Sequence, residues 1–239
     1  MEKLISGAEK LGLSLNEGQL ERFEKFYREM VDWNQRMNLT SITGYKEVQV
    51  NHFLDSLTVT LEMNKYTGSE GLQIIDVGAG AGLPGIPLKI VMPDIRLVLL
   101  EATAKKTGFL NHLLEVLELG DVEIITGRAE DAAQTEEHRG KYDTVLSRGV
   151  APLATLAELT LPFCKHGGNF IAHKKGDIKQ EMAEAENAIN TLGGKLREVI
   201  PVNLKEFPDK RCLVIIDKIT ETPNKYPRRS GMPAKRPVK

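Results

Sequence analysis

The spacing of apolar positions changes once along the chain, near residue 70, and the change divides it. From residue 14 to about 65 they follow a helical period: Leu20, Phe23, Tyr27, Met30 and Val31 fall three or four apart. Ser14-Leu15-Asn16-Glu17 matches a capping box, which predicts where that helix starts. Asn38-Leu39-Thr40 and Thr43-Gly44 interrupt the period, and a second helix is expected from about Lys46. Residues 1–66 read as a small helical cap. Beyond Leu72, apolar strand-like runs at 72–77, 96–101, 122–126, 143–147 and 168–173 alternate with helical stretches, notably at 104–119, 152–163 and 177–192. Strands separated by helices predict βαβ units and a parallel sheet. Two further runs, Lys195–Ile200 and Arg211–Ile216, have no helix between them, and the ten residues joining them include two prolines. Parallel neighbours need a crossover of about a dozen residues or more, so this pair is expected as a hairpin. The pattern predicts an α/β core over 67–221 with a seven-stranded mixed sheet.

The most informative segment is Gln73-Ile74-Ile75-Asp76-Val77-Gly78-Ala79-Gly80-Ala81-Gly82-Leu83-Pro84-Gly85. An apolar run that ends in an acid and breaks into glycines reads as a buried strand, a tight loop and a helix start. In open α/β sheets ligands lie beyond the carboxyl ends of the strands, so this is a nucleotide-site candidate. A dinucleotide loop would be G-x-G-x-x-G and would seat a pyrophosphate. Here the loop is G-x-G-x-G, and Asp76 precedes it. A carboxylate there repels pyrophosphate and attracts a cation. S-adenosylmethionine carries a sulfonium and an amino group but no phosphate, so the loop favours it over NAD. Glu101 closes the next strand and is placed to accept hydrogen bonds from ribose hydroxyls. The plainer readings are a local backbone cap for Asp76 and a helix N-cap for Glu101.

Composition narrows the picture. No apolar run reaches the roughly 20 residues of a membrane helix, and the N-terminus lacks a signal-peptide layout, so a cytoplasmic protein is expected. Cys164 and Cys212 are isolated, and the five histidines show no metal-ligand spacing, so no metal is expected. Net charge is −1, but the stretch from Thr222 to Lys239 holds six basic residues, four prolines and no acid. Proline at that density favours an extended segment. It reads either as a solvated end or as a basic arm for phosphate backbones.

At this point the chain resembles the class I methyltransferases and, among them, the RsmG (GidB) family of bacterial small-subunit ribosomal RNA methyltransferases. Besides the glycine loop, the matching motifs are Trp33-Asn34 with Asn38-Leu39-Thr40 and Ile42, and His52-Phe53-Leu54-Asp55-Ser56-Leu57. Arg128-Ala129-Glu130, Ser147-Arg148-Gly149-Val150-Ala151 and Tyr226-Pro227-Arg228-Arg229-Ser230-Gly231-Met232-Pro233 match as well. The resemblance implies a Rossmann-like core and methylation of N7 of one guanine in the decoding region of 16S rRNA, with S-adenosylmethionine as donor. It implies cofactor contacts at Gly78, Leu83, Ala129, Glu130 and Arg148, which join Asp76, Gly80, Gly82 and Glu101 from the reading of the loop and the second strand as the candidate cofactor residues. Leu83 is a mild departure, since relatives can carry an aromatic there. Arg148 is expected to order the cofactor or the guanine, with Asn38 and Lys174 lining the target pocket. Arg211, Lys225, Arg228, Arg229, Lys235 and Arg236 are the candidate RNA contacts, on 16S rRNA or the small subunit, with the chain acting as a monomer. Arg148 also admits a structural ion-pair role. Two other classes fit the glycine loop: a small-molecule methyltransferase, which would gain nothing from the basic tail, and a non-catalytic nucleotide-binding ribosome assembly factor.

Overall fold

The computed structural model describes residues 1–63 and 71–238, so the expected cap–core boundary after residue 66 and the terminal Lys239 lie outside the described residues. The apolar runs become β1 (Gln73–Val77), β2 (Arg96–Glu101), β3 (Val122–Thr126), β4 (Tyr142–Arg148), β5 (Cys164–Lys175), β6 (Gly194–Val202) and β7 (Arg211–Lys218). They form one seven-stranded sheet in the order β3-β2-β1-β4-β5-β7-β6. Pairs among β1 to β5 are parallel, whereas β7 runs antiparallel to both β5 and β6. The short β6–β7 connection therefore makes the expected hairpin. The order reverses at β1/β4, the place where doubly wound sheets open a crevice.

The cap comprises α1 (Glu2–Lys10), α2 (Glu17–Asn34), α3 (Tyr45–Val48), a π-helical segment Gln49–Leu54, α4 (Asp55–Leu57) and α5 (Thr60–Met63). In the core, α6 (Gly85–Val91), α7 (Ala104–Leu117), α8 (Ala129–Ala132), α9 (Leu153–Thr160) and α10 (Lys179–Thr191) separate the strands, and α11 (Met232–Lys235) lies in the tail. Two features differ from the sequence reading. The N-cap of α2 is Asn16, not Ser14: its side chain accepts from Gln19 N (2.9 Å) while Gln19 accepts from Asn16 N (3.0 Å). The same capping logic operates two residues later, with Asn and Gln in its two roles. Helix α1 was not expected; it is held by tertiary burial of Leu4 and Ala8, with Gly7 packed against Leu54.

Each face of the sheet has its own apolar cluster. One joins the cap residues Phe23, Phe26, Met30 and Phe53 to α6, α7 and the sheet residues Ile74, Leu99, Leu146, Ile171 and Leu213. The other joins Ile75, Val77, Val145 and Phe170 to α9, α10 and the terminal Val238. The cap thus covers one face and the C-terminal segment reaches the other.

Candidate active site

The glycine loop leaves β1 and is pinned to β2, since the N–H groups of Gly78 and Ala79 both donate to Leu100 O (2.8 and 3.1 Å). Gly78 and Gly80 have φ of +77° and +58°, backbone that side chains rarely adopt. A Cβ on Gly78 would lie 2.7 Å from Val150 Cγ2. Val150 follows β4 and is 42% exposed, so it makes an apolar lip over the loop. Asp76 is fully buried. Its Oδ2 accepts from Gly85 N (2.8 Å) at the start of α6, while its Oδ1 has no hydrogen-bond partner among the described residues. Burial pushes its pKa up to about 7, helped by Glu101, against the Gly85 N–H and Arg148. Glu101, also buried, accepts from Gly80 N (3.0 Å) and Thr103 N (2.8 Å) and so bridges the loop to the start of α7.

One strand over, charges gather where the cap meets the sheet. Arg148 Nη1 donates to Asp55 Oδ2 (2.8 Å) and to the carbonyls of His52 (3.2 Å) and Asn51 (3.4 Å) in the π-helical segment. Arg211 Nη1 lies 2.7 Å from Asp55 Oδ1, and its Nη2 donates to Asn51 Oδ1 (2.5 Å). Burial raises the Asp55 pKa, but Arg148, His173 and Arg211 outweigh it and leave the acid below its ordinary value. His52 sits beside them with Nε2 2.7 Å from Thr40 Oγ1; burial and Arg148 lower its pKa to about 4. A cavity of about 250 Å³ opens here, lined by Asp55, Arg148, Gly149, His173, Lys174 and Lys175. Larger clefts of about 570 and 350 Å³ occur elsewhere, and no glycine-loop residue lines either.

The residues expected at the site do not all converge. Asp76, Gly78, Gly80, Gly82 and Glu101 form the loop region, and Arg148 stands at the end of the neighbouring strand. Leu83 is 6% exposed and belongs to the apolar cluster beneath the loop. Lys174 lines the cavity with Arg148, and its Nζ donates to Ala151 O (3.0 Å) and Glu181 Oε1 (2.6 Å). Asn38 is exposed in the turn after α2 and does not line the cavity. Asp55, His173 and the cap carbonyls were not singled out for a role in the site; the His52–Leu57 motif was the only sequence signal for Asp55 and the His52 carbonyl, and His173 and Asn51 had none.

The family description "GidB: rRNA small subunit methyltransferase G" matches residues 19–210. The chain belongs to the GidB family. Among curated relatives, Ribosomal RNA small subunit methyltransferase G of Dehalococcoides mccartyi (strain ATCC BAA-2100 / JCM 16839 / KCTC 5957 / BAV1) is 53% identical over the full length of both chains. Two solved structures share the fold at low identity. Precorrin-6y C5,15-methyltransferase from Geobacter metallireducens GS-15 aligns with TM-score 0.50 and 19% identity, covering 70% of this chain and 88% of its own. M. jannaschii TYW2 in complex with AdoMet aligns with TM-score 0.52 and 17% identity, covering 69% and 77%. The fold is the Rossmann-like class I methyltransferase fold.

In this GidB-family chain the basic tail is docked on the protein. Arg228 Nη2 and Nε reach Glu158 Oε2 and Oε1 (2.5 and 2.9 Å), and Glu158 is wholly buried. Gly231 N donates to Glu130 Oε1 (2.8 Å), tying the tail to α8, where Ala129 and Glu130 were expected to meet adenine. Arg139 adds bonds to the carbonyls of Thr222 and Tyr226 (2.8 and 2.9 Å). Of the six candidate RNA contacts, Lys225, Arg229, Lys235 and Arg236 are exposed. Arg228 is engaged by Glu158, and the Arg211 side chain is 2% exposed between Asp55 and Asp209. Those two arginines are internal partners in this structure. Apart from the strand ends, Glu123, Glu137 and His138 bring ligand-type atoms within 4.8 Å of one another, a grouping that sequence spacing did not reveal. Among the described residues no helix is long and apolar enough to cross a membrane.

Proposed function

We propose that this chain transfers the methyl group of S-adenosylmethionine to N7 of a guanine in the decoding region of 16S rRNA. The observation that carries the reading is Asp76: a fully buried carboxylate with one unpartnered oxygen, directly before the glycine loop and one strand from Arg148. An unpaired buried acid is costly and is stabilised by a cation. The positively charged cofactor, the ligand named for TYW2, has that character, and the residues present fit it. Gly78, Gly80 and Gly82 let backbone approach it, Asp76 answers its charge, Glu101 faces its ribose, and Ala129 and Glu130 lie toward its adenine. Bound, it supplies an electrophilic methyl group.

Guanine N7 presents an in-plane lone pair and no proton, so no general base is required. The work of the chain is alignment, which can be worth several kcal/mol. Arg148, held through Nη1 by the cap, orients the acceptor side of the cleft. Asn38 and Lys174 stand at its margins. Val150 covers the loop and limits water. The exposed Lys225, Arg229, Lys235 and Arg236 meet phosphates, in the cytoplasm, with the protein acting as a monomer without a resident metal. Labelled S-adenosylmethionine and unmethylated small-subunit rRNA should yield label in RNA and chain cleavage at 7-methylguanosine. Label confined to protein or small molecules would sink the RNA reading. Arg148→Ala should lose most turnover while retaining cofactor binding.

A further inference from the structure

The ring of His173 is enclosed by the cap and three strand ends, yet among the described residues it finds only a weak polar contact with the Asp55 backbone and no well-formed hydrogen bond. His173 pairs in register with Arg148 of β4 and Leu213 of β7. Neighbours opposite one another on a sheet share a face, and Leu213 belongs to the cap-side cluster. His173 therefore projects toward the cap, beside Asp55. It is 8% exposed and lines the 250 Å³ cavity, and neither Nδ1 nor Nε2 has a hydrogen-bond partner among the described residues. His52, buried to the same degree nearby, has its Thr40 partner.

A buried imidazole with two unpaired nitrogens is a poor choice for packing alone, since an apolar side chain would fill the space without desolvating polar atoms. Burial, with Arg148 and Arg211 nearby, lowers its pKa to about 4 against the pull of Asp55. The ring thus offers one N–H donor and one lone pair. A phosphate or carboxylate would satisfy only the donor. The two ring nitrogens point apart, so one base edge meets only one of them; the Watson–Crick edge of guanine, with O6 to accept and N1–H to donate, can pair with whichever nitrogen faces it. Arg148 stands on the same face and adds a donor. Both contacts leave N7 unobstructed.

We infer that His173 is a base-selecting residue, hydrogen-bonding the Watson–Crick edge of the acceptor guanine while N7 faces the methyl donor. The inference rests on the rRNA reading above and names the acceptor subsite within it. It is tested with the full chain, unmethylated small ribosomal subunits and labelled S-adenosylmethionine. His173→Leu should lower the single-turnover rate at saturating cofactor by about tenfold or more, the scale of a lost buried hydrogen bond. Its cofactor Kd should match the wild type, and its thermal midpoint should be equal or higher. His173→Asn, which keeps a donor and an acceptor, should recover part of the rate. Wild-type turnover in His173→Leu overturns the assignment. A loss shared equally by both variants with a lowered thermal midpoint overturns it too, because it marks a structural role. A wild-type chain that transfers no label to rRNA would defeat the methyltransferase reading and this inference together; an active wild type with an indifferent His173→Leu defeats the inference alone.

Discussion

Asp55 and Asp76 are both buried aspartates at the strand ends, and they are held in opposite ways. Asp55, at 5% exposure, has a guanidinium on each oxygen and a pKa below the usual range. Asp76, at 0%, has one backbone N–H, one oxygen without a partner among the described residues and a pKa raised to about 7. Burial is common to the two; compensation is not. A completed charge behaves as a joint, here between the cap and β4 and β7. An incomplete one is a site awaiting a partner.

Breaking the joint should have the largest effect. Asp55→Ala leaves the largely buried Arg148 without an acidic partner and Arg211 with Asp209 alone, and loss of one partner of such a buried pair costs about 3–5 kcal/mol. Urea unfolding should show a lower midpoint by that margin, with methyl transfer lost alongside. A loss under about 1 kcal/mol would mean that the two arginines are solvated and that the contrast with Asp76 is false.

The tail extends the comparison. Glu158 and Arg228 form a second completed pair, with the acid 0% exposed and the arginine side chain 27% exposed. Because the arginine keeps some contact with water, Arg228→Ala should cost less, about 2 kcal/mol, chiefly from the unpaired Glu158. Limited proteolysis should then cut between Glu221 and Gly231 while the rest of the chain resists. A tail equally protected in the variant would show that Arg139 and Glu130 hold it unaided.

The sheet was legible because its signals are local: apolar runs, glycines and the spacing of helices lie within a few residues of one another. All seven strands and the closing hairpin fall where the pattern placed them. The glycine loop with Asp76 was legible for the same reason. The joint was not, since Asp55 meets Arg148 and Arg211 across 93 and 156 positions of chain, and no periodicity records that meeting. Arg211 consequently read as a free cation for RNA, although its partner is an acid from the cap. The tail misled in the same direction: its prolines suggested an extended or solvated end, while Glu158 and Glu130, far back in the sequence, bind it to the fold. His173 stood out only once its neighbours were in place.

Asp76→Asn should have the smallest effect on stability, and its sign separates the two aspartates most sharply. The folded carboxyl holds its proton to about pH 7, whereas the unfolded one releases it near its ordinary value of 3.8. The native state therefore binds more protons between these values, and the wild-type contribution of Asp76 falls as pH rises through about 4 to 7, then levels off. Three pK units correspond to on the order of 4 kcal/mol of ionisation penalty above pH 7. The asparagine avoids that penalty but leaves its own amide N–H groups unpaired, at about 1–3 kcal/mol, so a net gain of about 1 kcal/mol is expected at pH 8 and a loss at pH 5. His52 and His173 act oppositely, since their lowered pKa values make stability rise from about pH 4 to 6.5, and they do so in both proteins. The difference between variant and wild type isolates Asp76. Cofactor affinity should fall about tenfold in the variant at pH 8, because the charge that answers the sulfonium or amino group is gone. Equal destabilisation at pH 5 and pH 8 with unchanged cofactor affinity would make Asp76 a helix-start cap and nothing more.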